Sequence, residues 1–436
     1  MKRKREELLQ HLTPLYVLRF TFCALACSCL SACSPGYVLR AGYEEAKILW
    51  RRQPIEALLQ RSDLDASTRD KLELVRAVRI FARDTLHLRV GGSYGTLAQV
   101  DADQVVHVVS AAYQRQLQPY TWWFPIVGRV PYKGYFSESD AKDEAACLER
   151  DGYDTYVRPS VAFSTLGWFA DPLLSNLLRY DRVTLANVVI HELLHNTSYV
   201  GGHADFDESL ANFVGHRGAM LFFAGRGDGA ALDQATTDWG DALVFSDFLV
   251  RFTTRLRAAY GNGATLGDRE ALFHAAQAEF RTLPLHTRTY HEFATRPLNN
   301  AVILHDLMYA DRLQLFEDLL RERDGDLARL IQTVLDAVRE RAGDPFVAVE
   351  ALRRSAAATA PQQTIALADA SRFNGAETPD AVTDGEQKDG KRQRRGRHQR
   401  RCDAGLCKDG QRHLPQPTHK PRVDRPGLEH DNGTNE

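Results

Sequence analysis

The chain has 436 residues, 44% of them hydrophobic, and its 55 Lys and Arg against 57 Asp and Glu leave a formal net charge of −2. That length and apolar content suffice for one large packed domain or two ordinary ones, which excludes a small fold dependent on covalent staples. Four of the seven cysteines (Cys23, Cys27, Cys29, Cys33) crowd the amino end, Cys147 lies in the body and Cys402 and Cys407 in the tail, which excludes a disulfide framework.

The chain opens with Lys2, Arg3, Lys4 and Arg5, followed by an apolar run from Phe20 to Ala32 that is too short to span a bilayer comfortably. It ends in Leu30, Ser31, Ala32, Cys33, which resembles the bacterial lipobox. The resemblance implies a signal peptide over 1–33 and a lipid anchor on Cys33, which becomes the new amino terminus. Ser34 in the next position, rather than Asp, resembles the pattern sorted to the outer membrane of a Gram-negative cell envelope, facing the periplasm.

Apolar residues at helical spacing predict an amphipathic lead-in over 43–59 and 67–86. Between about 87 and 163 the runs become β-branched and aromatic with turn residues between them ("QVVHVVSAAY", "TWWFPIVGRVPYKGYF", "YDTYVRPSVAF"), predicting a small β-rich subregion. "YVRPSVAFST" reads as a strand just upstream of the helices that follow, and Pro159 suits an edge strand. Trp168 and Phe169 then fall in a turn, available for a pocket wall or for packing.

From Asp181 onward helical periodicity dominates, near 184–199, 207–223, 230–259, 268–282, 298–322 and 325–341. The expected fold is therefore α+β and predominantly α-helical, with the body occupying 34–353. Beyond about Arg354 the pattern fades into polar sequence; from Lys388 to Arg425 it carries 13 Lys and Arg against 4 Asp and Glu, so a +9 tail accompanies a −11 remainder. Such a segment, 354–436, cannot offset the entropy of ordering and is expected to be disordered. It has no nucleic-acid recognition motif and no interleaved aromatics, so no nucleic-acid partner is expected.

The chemistry concentrates in "VVIHELLHNTSYVGGHADFDESLANFVG", Val188 to Gly215. Residues four apart share a helix face, so His191 and His195 can present two imidazoles to one ion, with Glu192 beside them to exchange a proton with the attacking water. HExxH alone arises by chance in on the order of a few per hundred chains of this length, so the context must decide. Leu185, Val188, Val189, Ile190, Leu193 and Leu194 make the helix apolar nearly all round, and two histidines with a glutamate are costly to bury there unless something satisfies them.

Gly201 and Gly202 offer a helix stop, and Asp205 or Asp207 an N-cap for a second helix whose first turn brings Glu208 back to the histidine pair. His, His, Glu is an established catalytic zinc set, with the fourth position open. His203, Asp205 and Asp207 compete for the third place. The metzincin pattern would need His at 201 and Gly at 198, which are Gly and Ser here, and the aspartates have less reach. His216 reads as a surface histidine.

The segments "PIVGRVPYKGYF", "GYDTYVRPSVAFSTLGWFADPLLSNLL", "HELLHNTSYVGGHADFDESLANFVGHRGA" and "LNNAVI" together closely resemble the bacterial putative aminopeptidases, a lipoprotein family of HExxH zinc metallopeptidases. The resemblance runs from the lipobox to about Val349. It implies His191, His195 and Glu208 as ligands of one Zn2+ per chain and Glu192 as catalytic acid/base in a membrane-anchored, zincin-like peptide hydrolase. The chain departs from the family pattern at Asp207, His203 and Phe163, none of which removes a ligand.

Tyr199, Tyr309 and His305 are candidate oxyanion donors among which spacing does not choose. No known amine-binding motif appears, and "RGAM" at Arg217 to Met220 lacks the acid of the familiar exopeptidase element. An endopeptidase acting on envelope proteins with the same chemistry, or a non-catalytic zinc-binding lipoprotein, are therefore the competing functions.

Overall fold

The computed structural model describes residues 42–43, 46–100, 106–124, 128–160 and 170–359. The segment 1–33 expected to be a signal peptide, with Cys33, the positions Phe163, Trp168 and Phe169, and the tail from 360 lie outside the described residues. No helix among those described is long and apolar enough to cross a membrane.

The lead-in is less continuous than its periodicity predicts. Pro54, which lacks an N–H, closes a short strand β1 (Arg52–Pro54) and stands as N-cap of helix α1 (Ile55–Leu59). Helix α2 (Ala66–Asp84) follows, its Asp65 cap accepting from the Thr68 N–H at 2.9 Å. Strand β2 (Thr96–Ala98) pairs antiparallel with β1.

The β-rich subregion holds β3 (Val106–Tyr113), the hairpin of β4 (Trp122–Phe124) and β5 (Gly128–Val130), β6 (Tyr132–Tyr135) and β7 (Tyr153–Ser160). Helix α3 (Glu138–Arg150) interrupts it, a correction to the strand-only reading; Ser137 caps it, and Glu138 and Asp140 in its first turn and Arg150 in its last suit the helix dipole. The sheet runs β6-β3-β7, all antiparallel, so β7 is an edge strand, as Pro159 predicted.

One face of that sheet packs Val109, Ala111 and Tyr135 against Ala141, Ala145 and Leu148 of α3. The opposite face meets a later helix, Asn300–Ala310. Strand β8 (Leu173–Leu174) joins β2 in parallel, and a 3-10 turn (Ser175–Arg179) leads into the helical body.

That body contains α4 (Arg182–Thr197), α5 (Ala204–Gly225), α6 (Gly229–Gly261), α7 (Leu266–Phe280), α8 (Asn300–Ala310), α9 (Leu313–Arg321), α10 (Leu327–Glu340) and α11 (Pro345–Thr359). The single helix expected over 298–322 is two, because Arg312 takes a left-handed φ of 54°. Helical backbone also continues to Thr359, past the expected end of the body. The fold is α+β and predominantly helical.

A large apolar core joins α1, α2, α4, α5 and the carboxyl-terminal helices, with Phe206, Phe213 and Phe316 fully enclosed. Each such phenylalanine contributes roughly 1.5–3 kcal/mol by burial. A second core gathers Phe248, Phe252, Phe273, Phe280 and Phe293 with Ile303 of α8.

Candidate active site

Helix α4 starts at Asp181, whose carboxylate accepts from the Val183 and Thr184 N–H groups at 2.9 and 3.0 Å. Val183, Leu185, Ala186, Val189, Ile190, Leu193 and Leu194 are buried, so the helix is fixed on nearly every side. At its far end Arg89 donates to the Thr197 carbonyl, and the Arg89 N–H to the Thr197 hydroxyl at 2.9 Å. His191, Glu192 and His195 therefore project from a rod that cannot rotate.

The rod ends at Thr197, earlier than the glycines suggested, and a tight turn carries Gly202 at a φ of 86°. The N-cap of α5 is His203, without a side-chain bond, where an aspartate was expected. Asp207 instead reaches back to accept the Val200 N–H on both oxygens at 3.0 and 3.1 Å, pinning the connecting turn. Burial raises its carboxyl to about 7, against that bond and His195. Since α5 begins at Ala204, Glu208 sits just past the first turn.

The two helices cross closely because two residues on α5 have no side chain. A Cβ at Gly215 would lie 2.2 Å from Asn187 Oδ1 and 3.3 Å from His191 Cβ; one at Gly218 would lie 3.0 Å from Ile190 Cγ2. The glycines were in view in the sequence, and their three-residue spacing on a helix face was the signal that could have marked this contact.

The crossing brings together His191, His195 and Glu208, the one cluster among the described residues able to hold a metal ion. His191 Nε2 lies 3.2 Å from His195 Nε2 and 3.2 Å from Glu208 Oε2, and His195 Nε2 lies 3.5 Å from the same oxygen. Zinc–nitrogen and zinc–oxygen bonds of about 2.0–2.1 Å in tetrahedral array set donors about 3.3 Å apart, which this triangle matches on all three edges. A proton can bridge one edge; a divalent cation satisfies all three. His203, Asp205 and Asp207 are not part of the cluster.

The electrostatics bind the three groups to one another. Burial disfavours charge on His195, but Glu208 outweighs it and lifts the imidazole to about 9. Burial likewise pushes Glu208 up, and His195 and His191 more than reverse that, holding it well below the usual carboxylate range.

Glu192 is enclosed beside the triad with Oε2 lacking a hydrogen-bond partner, and burial raises its pKa against the two histidines. A carboxylate displaced upward in this way is closer in proton affinity to the group it must serve at neutral pH. Tyr94 and Asp171 lie within its electrostatic reach.

Facing the helix pair is a wall drawn from the sheet and α8. Side chains of a strand alternate, so Asp154, Tyr156 and Arg158 of β7 share one face, two residues or about 6.6–6.8 Å apart. On α8, at 1.5 Å per residue, Asn300, His305 and Tyr309 lie about 6–7.5 Å apart. The two ladders match: Asp154 accepts the Asn300 N–H at 2.9 Å, the Tyr156 and His305 rings lie 5.3 Å apart, and the Arg158 charge reaches Tyr309. Tyr132 of β6, opposite Ser110, is on the same face.

This wall leans on the triad. The Tyr309 ring stacks on His191 at 6.3 Å, and burial followed by the Glu208 charge raises the Tyr309 phenol. Burial and Glu208 raise Tyr132 likewise, and Tyr199 less strongly through burial, Asp207 and Glu208. Burial drives His305 well below its ordinary value, with Arg158 and Arg296 adding to the effect. Ser209 and Asn212 of α5 donate to the Met308 and Tyr309 carbonyls at 3.0 and 2.8 Å, locking α8 to the helix that carries Glu208.

Sequence reasoning missed Tyr132 and Arg158, although polar residues at every second position of "DTYVR" were a signal that one face of this strand meets something polar. It also misread His216. That side chain is half-buried between α5 and α6, its ring 5.4 Å from Trp239, and burial with the His191 charge lowers it to about 4.

A family model described as putative aminopeptidase matches residues 36–342. No curated protein and no solved structure matches the chain.

Proposed function

The chain belongs to the putative aminopeptidase family, and from that premise we propose that it is a zinc-dependent peptide hydrolase centred on His191, His195 and Glu208. The observation that carries the reading is the triangle of donor atoms, 3.2, 3.2 and 3.5 Å on its edges, built by two helices that bury everything around it. When bound, Zn2+ supplies Lewis acidity that activates water and polarises the scissile carbonyl. Glu192 takes the proton of the attacking water and delivers it to the leaving amine; its unpartnered Oε2 and raised pKa suit both halves of that task.

Tyr309 donates to the carbonyl oxygen as negative charge develops there, because burial keeps its phenol protonated and its ring lies over His191. His305, pressed toward the neutral form, supports the Tyr309 ring from 5.4 Å. An extended substrate runs along the outer edge of β7, which no other strand among the described residues pairs. The protein is anchored through a lipid on Cys33 in the cell envelope, on the periplasmic face of the outer membrane. That edge would also take a chain continuing on both sides of the scissile bond, which makes an endopeptidase of envelope proteins the second reading.

Zinc content and hydrolysis are measured together on full-length wild type and Glu192→Gln, using amino-terminally free and blocked fluorogenic peptides. Both proteins should hold one zinc per chain, and only the wild type should cut, with kcat lower in the variant by at least 10²-fold. Cleavage of the blocked peptides selects the endopeptidase. Zinc without cleavage in either protein would make the metal structural, and absence of zinc would sink the metal reading altogether.

A further inference from the structure

Most buried or half-buried arginines near this part of the protein have a carboxylate partner. Arg269 pairs with Asp154 at 2.8 Å and Glu270 at 2.9 Å, Arg296 pairs with Asp306, and Arg217 lies 3.7 Å from Glu317. Arg158 departs from that pattern. Its Nε is buried with no hydrogen-bond partner, as are those of Arg269 and Arg296, but unlike theirs its guanidinium forms no ion pair among the described residues, and its charge is felt by the neutral phenol of Tyr309. Asp306, an acid that feels its charge, is already engaged by Arg296.

An unneutralised guanidinium in a half-enclosed site is costly unless an anion completes it at some stage of function. Here the cation is held on a strand face between Tyr132, Tyr309 and His305, each of which feels its charge. Through Tyr309 it is one ring removed from His191. Its strand is the edge along which a substrate backbone would lie. Guanidinium is the side chain whose planar fork matches a carboxylate with two parallel hydrogen bonds.

We propose that Arg158 receives a carboxylate of the substrate, so that the protein selects peptides bearing a negative charge near the scissile bond. This rests on the hydrolase reading for its site but makes a separate claim about substrate class. The carboxylate belongs either to the carboxyl terminus of a short peptide or to an acidic side chain; the chemistry at Arg158 is the same.

The test uses full-length, zinc-loaded wild type, Arg158→Gln and Arg158→Lys with three matched peptides. One has a free carboxyl terminus, one a terminal amide, and one a terminal amide with Glu replacing Gln next to the scissile bond. Wild type should cut one of the charged peptides with kcat/KM about tenfold or more above its neutral counterpart, corresponding to about 1.4 kcal/mol or more. The peptide favoured identifies the source of the carboxylate. In Arg158→Gln the ratio should fall towards one through a rise in KM for the charged peptide, with zinc content unchanged; Arg158→Lys should keep part of the ratio.

Equal turnover of charged and neutral peptides by wild type would overturn the inference while leaving the hydrolase reading intact. So would a uniform loss of kcat on all three peptides in Arg158→Gln, which would assign the cation to the developing oxyanion instead. If wild type cuts none of the peptides, calorimetric binding of an N-acetyl dipeptide acid and its amide reads the same discrimination without turnover. Equal affinities there would remove the proposal independently of the enzyme reading.

Discussion

The two walls of the candidate site are built by opposite strategies. The α4–α5 wall draws His191, Glu192, His195 and Glu208 from 18 consecutive residues, embeds them in a core of aliphatic and phenylalanine side chains, and relies on close helix contact at Gly215 and Gly218. The opposing wall takes Tyr132 from β6, Arg158 from β7 and Tyr309 from α8, joined by hydrogen bonds and ring contacts around polar groups. A wall made of packing holds groups in place, and one made of polar side chains can engage a substrate. Changes to the packing of the first should therefore register in stability and metal content, and changes in the second in turnover.

The sharpest way to break that contrast is Gly215→Val. Its side chain would collide with Asn187 and crowd His191, so the helices must part. Overpacking of this kind costs about 1–3 kcal/mol or more, and zinc content should fall together with the melting temperature. A variant that keeps both would show that the helix crossing does not set the site.

His216 tests the same wall by pH. An exposed histidine titrates near 6.5, whereas this one is lowered to about 4 by burial and then by His191. Between those values the unfolded chain binds a proton that the folded chain refuses. The stability associated with neutral His216 is thus present above about pH 6.5 and lost as pH falls through about 4, a change on the order of 2–3 kcal/mol. Melting curves from pH 7 to 4 should show a shallower acid decline in His216→Phe than in wild type; parallel curves would reject the buried-histidine account.

On the other wall, Tyr309→Phe removes one hydroxyl and little volume. It should lower kcat about tenfold, or about 1.4 kcal/mol of transition-state stabilisation, while zinc content and melting temperature stay at wild-type values. A large drop in stability would mean that the two walls do not divide as described.

How far the chain could be read depended on distance along it. The helix carrying His191 and His195, the return of Glu208 and the edge character of β7 were legible because a 3.6-residue period, a glycine turn and a proline act over a few neighbours. Helix α3 was obscured although its Ser137 cap and terminal charges were present, since it lies inside a stretch dominated by strand formers. The break at Arg312 was hidden because apolar periodicity runs through it and only the backbone's left-handed turn divides α8 from α9.

His216 looked superficial because local spacing says nothing about the helix packed above it. By itself, then, the sequence determined the helical class of the body, the chemistry of the histidine pair and the glutamate that joins it, all matters of local period and side-chain reach. The partners of that chemistry were decided only by the tertiary structure. The alternation of β7 against the turn spacing of α8 aligns Asp154 with Asn300 and Arg158 with Tyr309, 146 and 151 positions apart. Such a match depends on strand register and helix docking, which are set by the burial of whole faces and leave no short-range trace in the chain.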